Sequence, residues 1–185
     1  MPETSDEELM RAVREGDVAQ LGVLFERHHA RVHALCFRVT RRADVADDLA
    51  QETMLRLLRY ASSYRSDSTF ITWLYRITYN VCRDHWRKTR RDERLTDLSE
   101  VEDVIARDRD DRIDERHALL EEAMERLAPE RRAVLVLSRY NDLGYDDIAR
   151  VLDCTPATAR VRAHRALNEL REIYRELERR QRSVR

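Results

Sequence analysis

An all-α fold, in two small helical domains joined by a flexible acidic linker with a helix-turn-helix in the second, is what this sequence predicts, on three observations. The 185 residues include only three Gly and three Pro, too few for the turns of a many-stranded sheet. Apolar residues make up 42% and charged residues 38%, a balance that amphipathic helices satisfy by burying one stripe and solvating the rest. Charge is also segregated. Residues 76–91 carry six basic side chains against Asp84, and residues 155–185 carry nine Arg against four Glu. Between them, residues 92–115 carry eleven acids and four bases. The net charge of -1 is not that of a nonspecific nucleic-acid coat; two basic segments flanking an acidic one are a statement about partners.

The elements follow in order. Ser5 with the acids after it reads as an N-cap opening a short helix that Gly16 closes. Asp17 starts the next, in which Val18, Leu21, Leu24, Phe25, His28, Val32, Leu35, Cys36 and Val39 recur at steps of three and four as one buried stripe. Asp44 opens a third helix with Val45, Leu49, Leu57 and Leu58 facing inward, while Asp48, Gln51, Glu52 and Arg56 stay out. Residues 62–68 (SSYRSDS) form a loop. Ser68 or Thr69 then caps a helix through Phe70, Trp73, Leu74, Ile77 and Val81 to about residue 90. These elements make a first domain of residues 1–91. Residues 92–113 hold charge without a sustained apolar period and read as the linker. The second domain, 114–185, begins with Leu119, Leu120, Ala123, Met124 and Leu127 on one face. Pro129 sits where a first helical turn tolerates proline, and Val134, Leu135 and Leu137 continue inward. After the stop at Asp142-Leu143-Gly144, residues 145–152, a break at Asp153-Cys154 and a helix from Thr155 or Pro156 outline a helix-turn-helix.

Several function classes fall away. Cys36, Cys82 and Cys154 are far apart and odd in number, without the spacing of a disulfide frame or zinc ribbon, which suits a reducing cytoplasm. The acidic N-terminal residues lack an apolar core, and no apolar run reaches the roughly 20 residues that cross a bilayer; neither export nor membrane insertion is expected. The acid pairs Asp47-Asp48 and Asp146-Asp147 point to different helix faces, and no phosphate loop or nucleophile motif accompanies them. No catalytic residues, cofactor or metal are therefore expected. His29, His33 and Cys36 do share a helix face at steps of four and three, the one arrangement that admits a metal or thiol sensor.

Three segments carry a resemblance. Residues 46–56 (ADDLAQETMLR) place Asp48, Gln51 and Glu52 on one face, two acids and an amide suited to a basic partner surface. Residues 64–91 (YRSDSTFITWLYRITYNVCRDHWRKTRR) join a polar loop to a helix face with Asn80, Asp84 and Arg87 beside Arg83, Lys88, Arg90 and Arg91. There cations can hold phosphates while amide and carboxylate groups read base edges. Trp73 reads as core, and Tyr75, Tyr79 and Trp86 as candidates for stacking on bases. Residues 145–170 (YDDIARVLDCTPATARVRAHRALNEL) give a helix whose start is rich in donors suited to the major groove. In this order the three blocks resemble the sigma-70 superfamily of RNA polymerase sigma factors, specifically its extracytoplasmic-function (ECF) group.

The resemblance implies a site set. Asp48, Gln51, Glu52 and Leu55 correspond to the segment that binds core RNA polymerase at the clamp helices of its largest subunit. Arg65, Ser66, Asp67, Asn80, Arg83, Asp84, Arg87 and Lys88 correspond to the segment that melts and captures the minus-ten element. Thr158, Arg160, Arg162, His164 and Arg165 correspond to the helix that reads the minus-thirty-five element of promoter DNA, in the domain that meets the flap of the second-largest subunit. An anti-sigma factor is a further implied partner. Two positions depart from the pattern: Asp153 stands where the turn usually has Gly, and Ala159 where a bulkier apolar residue is commoner. The folded segment that bridges the domains of primary sigma factors is replaced by the acidic linker. A stand-alone helix-turn-helix repressor is the alternative, and it needs neither the docking stripe nor the loop before Thr69.

Overall fold

The computed structural model describes residues 4–65, 68–95, 111–140 and 143–184, which contain helices and turns and no strand. Eight helices follow in order: α1 (Asp6–Arg14), α2 (Gln20–Thr40), α3 (Ala43–Tyr60), α4 (Phe70–Leu95), α5 (Asp111–Arg126), α6 (Pro129–Tyr140), α7 (Tyr145–Leu152) and α8 (Pro156–Val184). A 3-10 turn, Ala61–Ser63, follows α3. Helices α4 and α5 reach into both ends of the expected 92–113 linker. Its residues 96–110 lie outside the described residues, as do Ser66, Asp67 and Asp142. No described helix is long and apolar enough to cross a membrane.

Helix α1 opens with a capping box: the Glu8 backbone N–H donates to Ser5 Oγ, and the Ser5 N–H to Glu8 Oε2 at 2.9 Å. Two orphan donors are thereby satisfied. After Arg14 the chain reverses at Gly16, whose φ of +108 is one that glycine adopts without strain. Leu9, Met10 and Val13 of α1 bury against α2, whose Leu24, Val32, Leu35, Cys36 and Val39 form the centre of the first domain.

The stripe expected to begin at Asp17 begins later. Asp17 precedes α2, whose N-cap is Ala19, and accepts from the Gln20 side chain at 2.8 Å. Val18 therefore lies in the approach turn at 55% exposure. Phe25 is one residue, about 100° of helix, past the buried Leu24 and faces out. The same geometry exposes Leu58, because Leu57 takes the inward place on α3. On α5 Leu120 lies on the surface, and among the described side chains Ala123 is the first that is buried.

The two domains meet. Helix α4 packs on α7, and α2 on α6, so that Leu35, Val39, Tyr79 and Cys82 face Ala133 and Leu137. Arg132 crosses the seam. It is 5% exposed, and its guanidinium donates to Val39 O at 2.9 Å, Glu125 O at 2.7 Å and Leu127 O at 3.0 Å. Those carbonyls end α2 and α5, where the unpaired C=O groups and the helix dipole favour a cation. Burial, with Arg41 nearby, lowers the Arg132 pKa to about 10, which keeps it charged at neutral pH. Arg41 pairs with Glu121 and Glu125 of α5, and Arg90 with Glu130 of α6 at 2.9 Å.

Candidate polymerase and nucleic-acid interfaces

The expected docking stripe lies on α3. Its inner face is fixed by Ala46, Leu49, Ala50, Thr53, Met54 and Leu57, all buried, with the Thr53 hydroxyl returned to Leu49 O at 2.7 Å. The opposite face then has to be Asp48, Gln51, Glu52 and Leu55. Asp48 and Gln51 are exposed, Glu52 is half-buried, and Leu55 is 57% exposed. Two acids and an amide around one solvated leucine make a surface that a basic, partly apolar groove can cover.

The second expected set gathers around a cleft of about 610 Å³ between α3, the loop after it and α4. Arg65, Asn80, Arg83 and Asp84 line it, together with Arg56, Tyr60, Ser63, Ser68, Thr72, Trp73, Arg76 and Ile77. Arg87 and Lys88 lie farther along α4 and are exposed outside the lining. The start of α4 is held from three sides. Thr69 Oγ1 accepts from the Thr72 N–H at 3.4 Å, the Glu7 carboxylate of α1 accepts the Phe70 N–H at 3.0 Å, and Tyr64 reaches Ser68 O at 3.3 Å. Trp73, half-buried, packs on the core and tilts against Tyr64 with ring centroids 5.1 Å apart.

Two expected stacking groups are not available. Tyr75 and Trp86 are buried, because 75, 78, 82 and 86 follow at steps of three and four along the inward face of α4. Tyr79 is half-buried edge-on to Trp86 at the seam. Burial raises the Tyr79 pKa, against the pull of Arg83 and Arg162. Arg56, Tyr60, Thr72 and Arg76 were not in the expected set. The signal for Arg56 was present: it follows Glu52 by four, the spacing of a helical ion pair.

In the second domain Asp153 ends α7 in the left-handed conformation, φ 51 and ψ 57, and so performs the turn usually given to glycine. Thr155 caps α8, accepting from the Thr158 N–H at 3.2 Å, and Pro156 occupies the first helical position. Ala159, Ala163 and Ala166 form the buried face, the first with no exposed surface, so the small side chain lets α7 and α8 approach. Arg160, Arg162, His164 and Arg165 are exposed, and Thr158 is half-buried with its hydroxyl on Thr155 at 2.8 Å. Arg160 sits over the Tyr145 ring at 5.2 Å, and His164 Nδ1 meets the Asn168 amide at 3.3 Å.

The metal-sensor arrangement loses its geometry. Cys36 is fully buried against Cys82, whereas the His33 ring is half-exposed and paired with Asp47 at 3.0 Å. Among the described residues no three His, Cys, Asp or Glu side chains are grouped to hold a metal ion.

Comparison with known proteins places this geometry. The family profile of Sigma-70 region 2 matches residues 24–92, and that of Sigma-70, region 4 matches residues 117–170. The chain is 31% identical over 169 residues to the RNA polymerase sigma factor CarQ of Myxococcus xanthus, covering 91% of this chain and 97% of that protein. It is 33% identical over 172 residues to the ECF RNA polymerase sigma factor SigM of Mycobacterium tuberculosis, covering 92% of this chain and 85% of that protein. Among solved structures it is similar in fold to the sigma factor RpoE of Bartonella quintana, solved in complex with the anti-sigma factor NepR. That likeness has a TM-score of 0.68 at 23% identity, over 83% of this chain and 96% of the other. The chain belongs to the sigma-70 superfamily of RNA polymerase sigma factors, in its extracytoplasmic-function group.

Proposed function

We propose that this sigma factor binds core RNA polymerase through Asp48, Gln51, Glu52 and Leu55 of α3 and directs initiation at two promoter elements. The observation that carries the reading is the docking face of α3, solvated and acidic although its opposite side is locked in the core. Residues 1–91 act as the docking and minus-ten domain, residues 92–113 as the linker and residues 114–185 as the minus-thirty-five domain. The cleft lined by Arg65, Asn80, Arg83 and Asp84 takes the unpaired non-template strand, with Arg87 and Lys88 on its phosphates. Arg160, Arg162, His164 and Arg165 enter the major groove of the duplex upstream. The clamp helices of the largest subunit and the flap of the second-largest are the polymerase surfaces this requires.

The chain catalyses nothing itself, works in the cytoplasm where polymerase and DNA meet, and is held by an anti-sigma factor until released. The solved neighbour bound to NepR supports that last partner. The test is transcription in vitro with purified core polymerase and promoter fragments, beside footprinting of the chain alone. Initiation that depends on added chain supports the reading. A footprint on duplex DNA without polymerase, and no initiation with it, returns the protein to the repressor class.

A further inference from the structure

Arg56 stands between the two surfaces just assigned. Its Nε donates to Glu52 Oε1 of the docking face at 2.7 Å, and its Nη1 donates to Asp84 Oδ2 of the minus-ten cleft, also at 2.7 Å. The guanidinium is the more sheltered member of the trio, 23% exposed against 39% for Glu52 and 47% for Asp84. It is planar and presents its donors in a fixed fork, so two carboxylates bound to different nitrogens are held in a fixed relation. Each carboxylate uses one oxygen on Arg56. Oε2 of Glu52 and Oδ1 of Asp84 make no further hydrogen bond among the described residues and remain to accept from outside. Asp84, and after it Glu52, hold the Arg56 pKa above its ordinary value against the burial that lowers it.

We propose that Arg56 is a positioning residue that aims the free oxygen of Asp84 at the captured strand and the free oxygen of Glu52 at the polymerase, so that docking and minus-ten selectivity share one side chain. This rests on the functional reading above. A carboxylate without its orienting partner samples several rotamers and accepts from any donor. Losing Arg56 therefore blunts discrimination between bases more than it weakens attraction to phosphate. Lysine at this position retains the charge and loses the fork, so charge and orientation separate cleanly.

The test uses holoenzyme assembled from core polymerase with wild-type chain, Arg56→Lys, Arg56→Gln, Asp84→Asn and Glu52→Gln. The probes are labelled single-stranded minus-ten oligonucleotides that differ by one base each. Arg56→Lys is expected to lower the ratio of best to worst oligonucleotide by about fivefold, the size of one pairwise coupling. The same substitution in the Asp84→Asn background is expected to change that ratio little. Affinity for core is expected to fall with Arg56→Gln and not to fall further when Glu52→Gln is already present. A uniform loss on every oligonucleotide, parallel to a lower melting temperature, would mark Arg56 as structural and overturn the proposal. Additive effects with Asp84→Asn would overturn it too. If Asp84→Asn leaves selectivity unaltered while wild-type holoenzyme still initiates, the placement of Asp84 fails and the proposal with it, although the sigma reading survives.

Discussion

Arg132 shows how one side chain can carry a boundary between domains. A buried guanidinium without a carboxylate in hydrogen-bond contact is stable here because three carbonyls at the ends of α2 and α5 receive it, although its Nε remains unpaired. Replacing it with methionine keeps the volume and leaves those carbonyls without their donor. Arg132→Met is expected to destabilise the chain by about 2–4 kcal/mol, the range for stripping a charged partner from a buried polar group; urea unfolding measures it, and a loss under 1 kcal/mol, taken as roughly the worth of a solvated contact, would contradict the account. Asp153 gives the opposite expectation. A non-glycine residue at φ 51 is strained, so Asp153→Gly should stabilise by about 0.5–1 kcal/mol. A thermal melt that moves down rather than up would show that the Asp153 side chain contributes more than its backbone strain removes.

At the scale of elements, the helices were legible because apolar residues repeat at three and four and because Ser5, Thr69 and Thr155 announce helix starts. What sequence spacing resolves poorly is which of two adjacent apolar residues turns inward: Leu24 and Phe25, or Leu57 and Leu58, differ by one residue and end on opposite sides. The same limit applies to the aromatics of α4, where Tyr75 and Trp86 belong to the core and Tyr79 to the seam. Helix α8 carries the clearest prediction. Its alanine face is buried, Ala159 and Ala163 in the main core and Ala166 beside Leu127 and Leu135, which leaves Arg162 and Arg165 exposed. Arg162→Ala should cost on the order of 1–3 kcal/mol on the preferred upstream element and far less on a mutated one, if the guanidinium reads a base. Equal losses on both, measured by titrating holoenzyme on fork-junction DNA, would instead make it a phosphate contact.

At the scale of the molecule, the seam between domains was the feature least visible in sequence. A helix period reports which face is buried and not what buries it, so Leu137 reads as core of the second domain alone, although it and Ala133 meet Leu35 and Val39 of the first. The closed arrangement has a functional consequence. Arg150 of α7 lines the cleft that also holds Arg65, Asn80, Arg83 and Asp84, so the second domain borders it. Holding two separate promoter elements is expected to require the domains to part. Fluorophores at Arg59→Cys on α3 and Arg171→Cys on α8, both exposed, should show high energy transfer in the free chain and a large drop when core polymerase is added. Unchanged transfer would mean that the seam persists in the holoenzyme.

The most direct measurement is a run-off transcription assay with purified core polymerase, comparing wild type with an Asp48→Ala, Gln51→Ala, Glu52→Ala variant whose melting temperature matches it. Wild type is expected to give specific transcripts, and the variant to lose both core binding and transcripts. Undiminished initiation by the variant would contradict the assignment of α3 as the docking face.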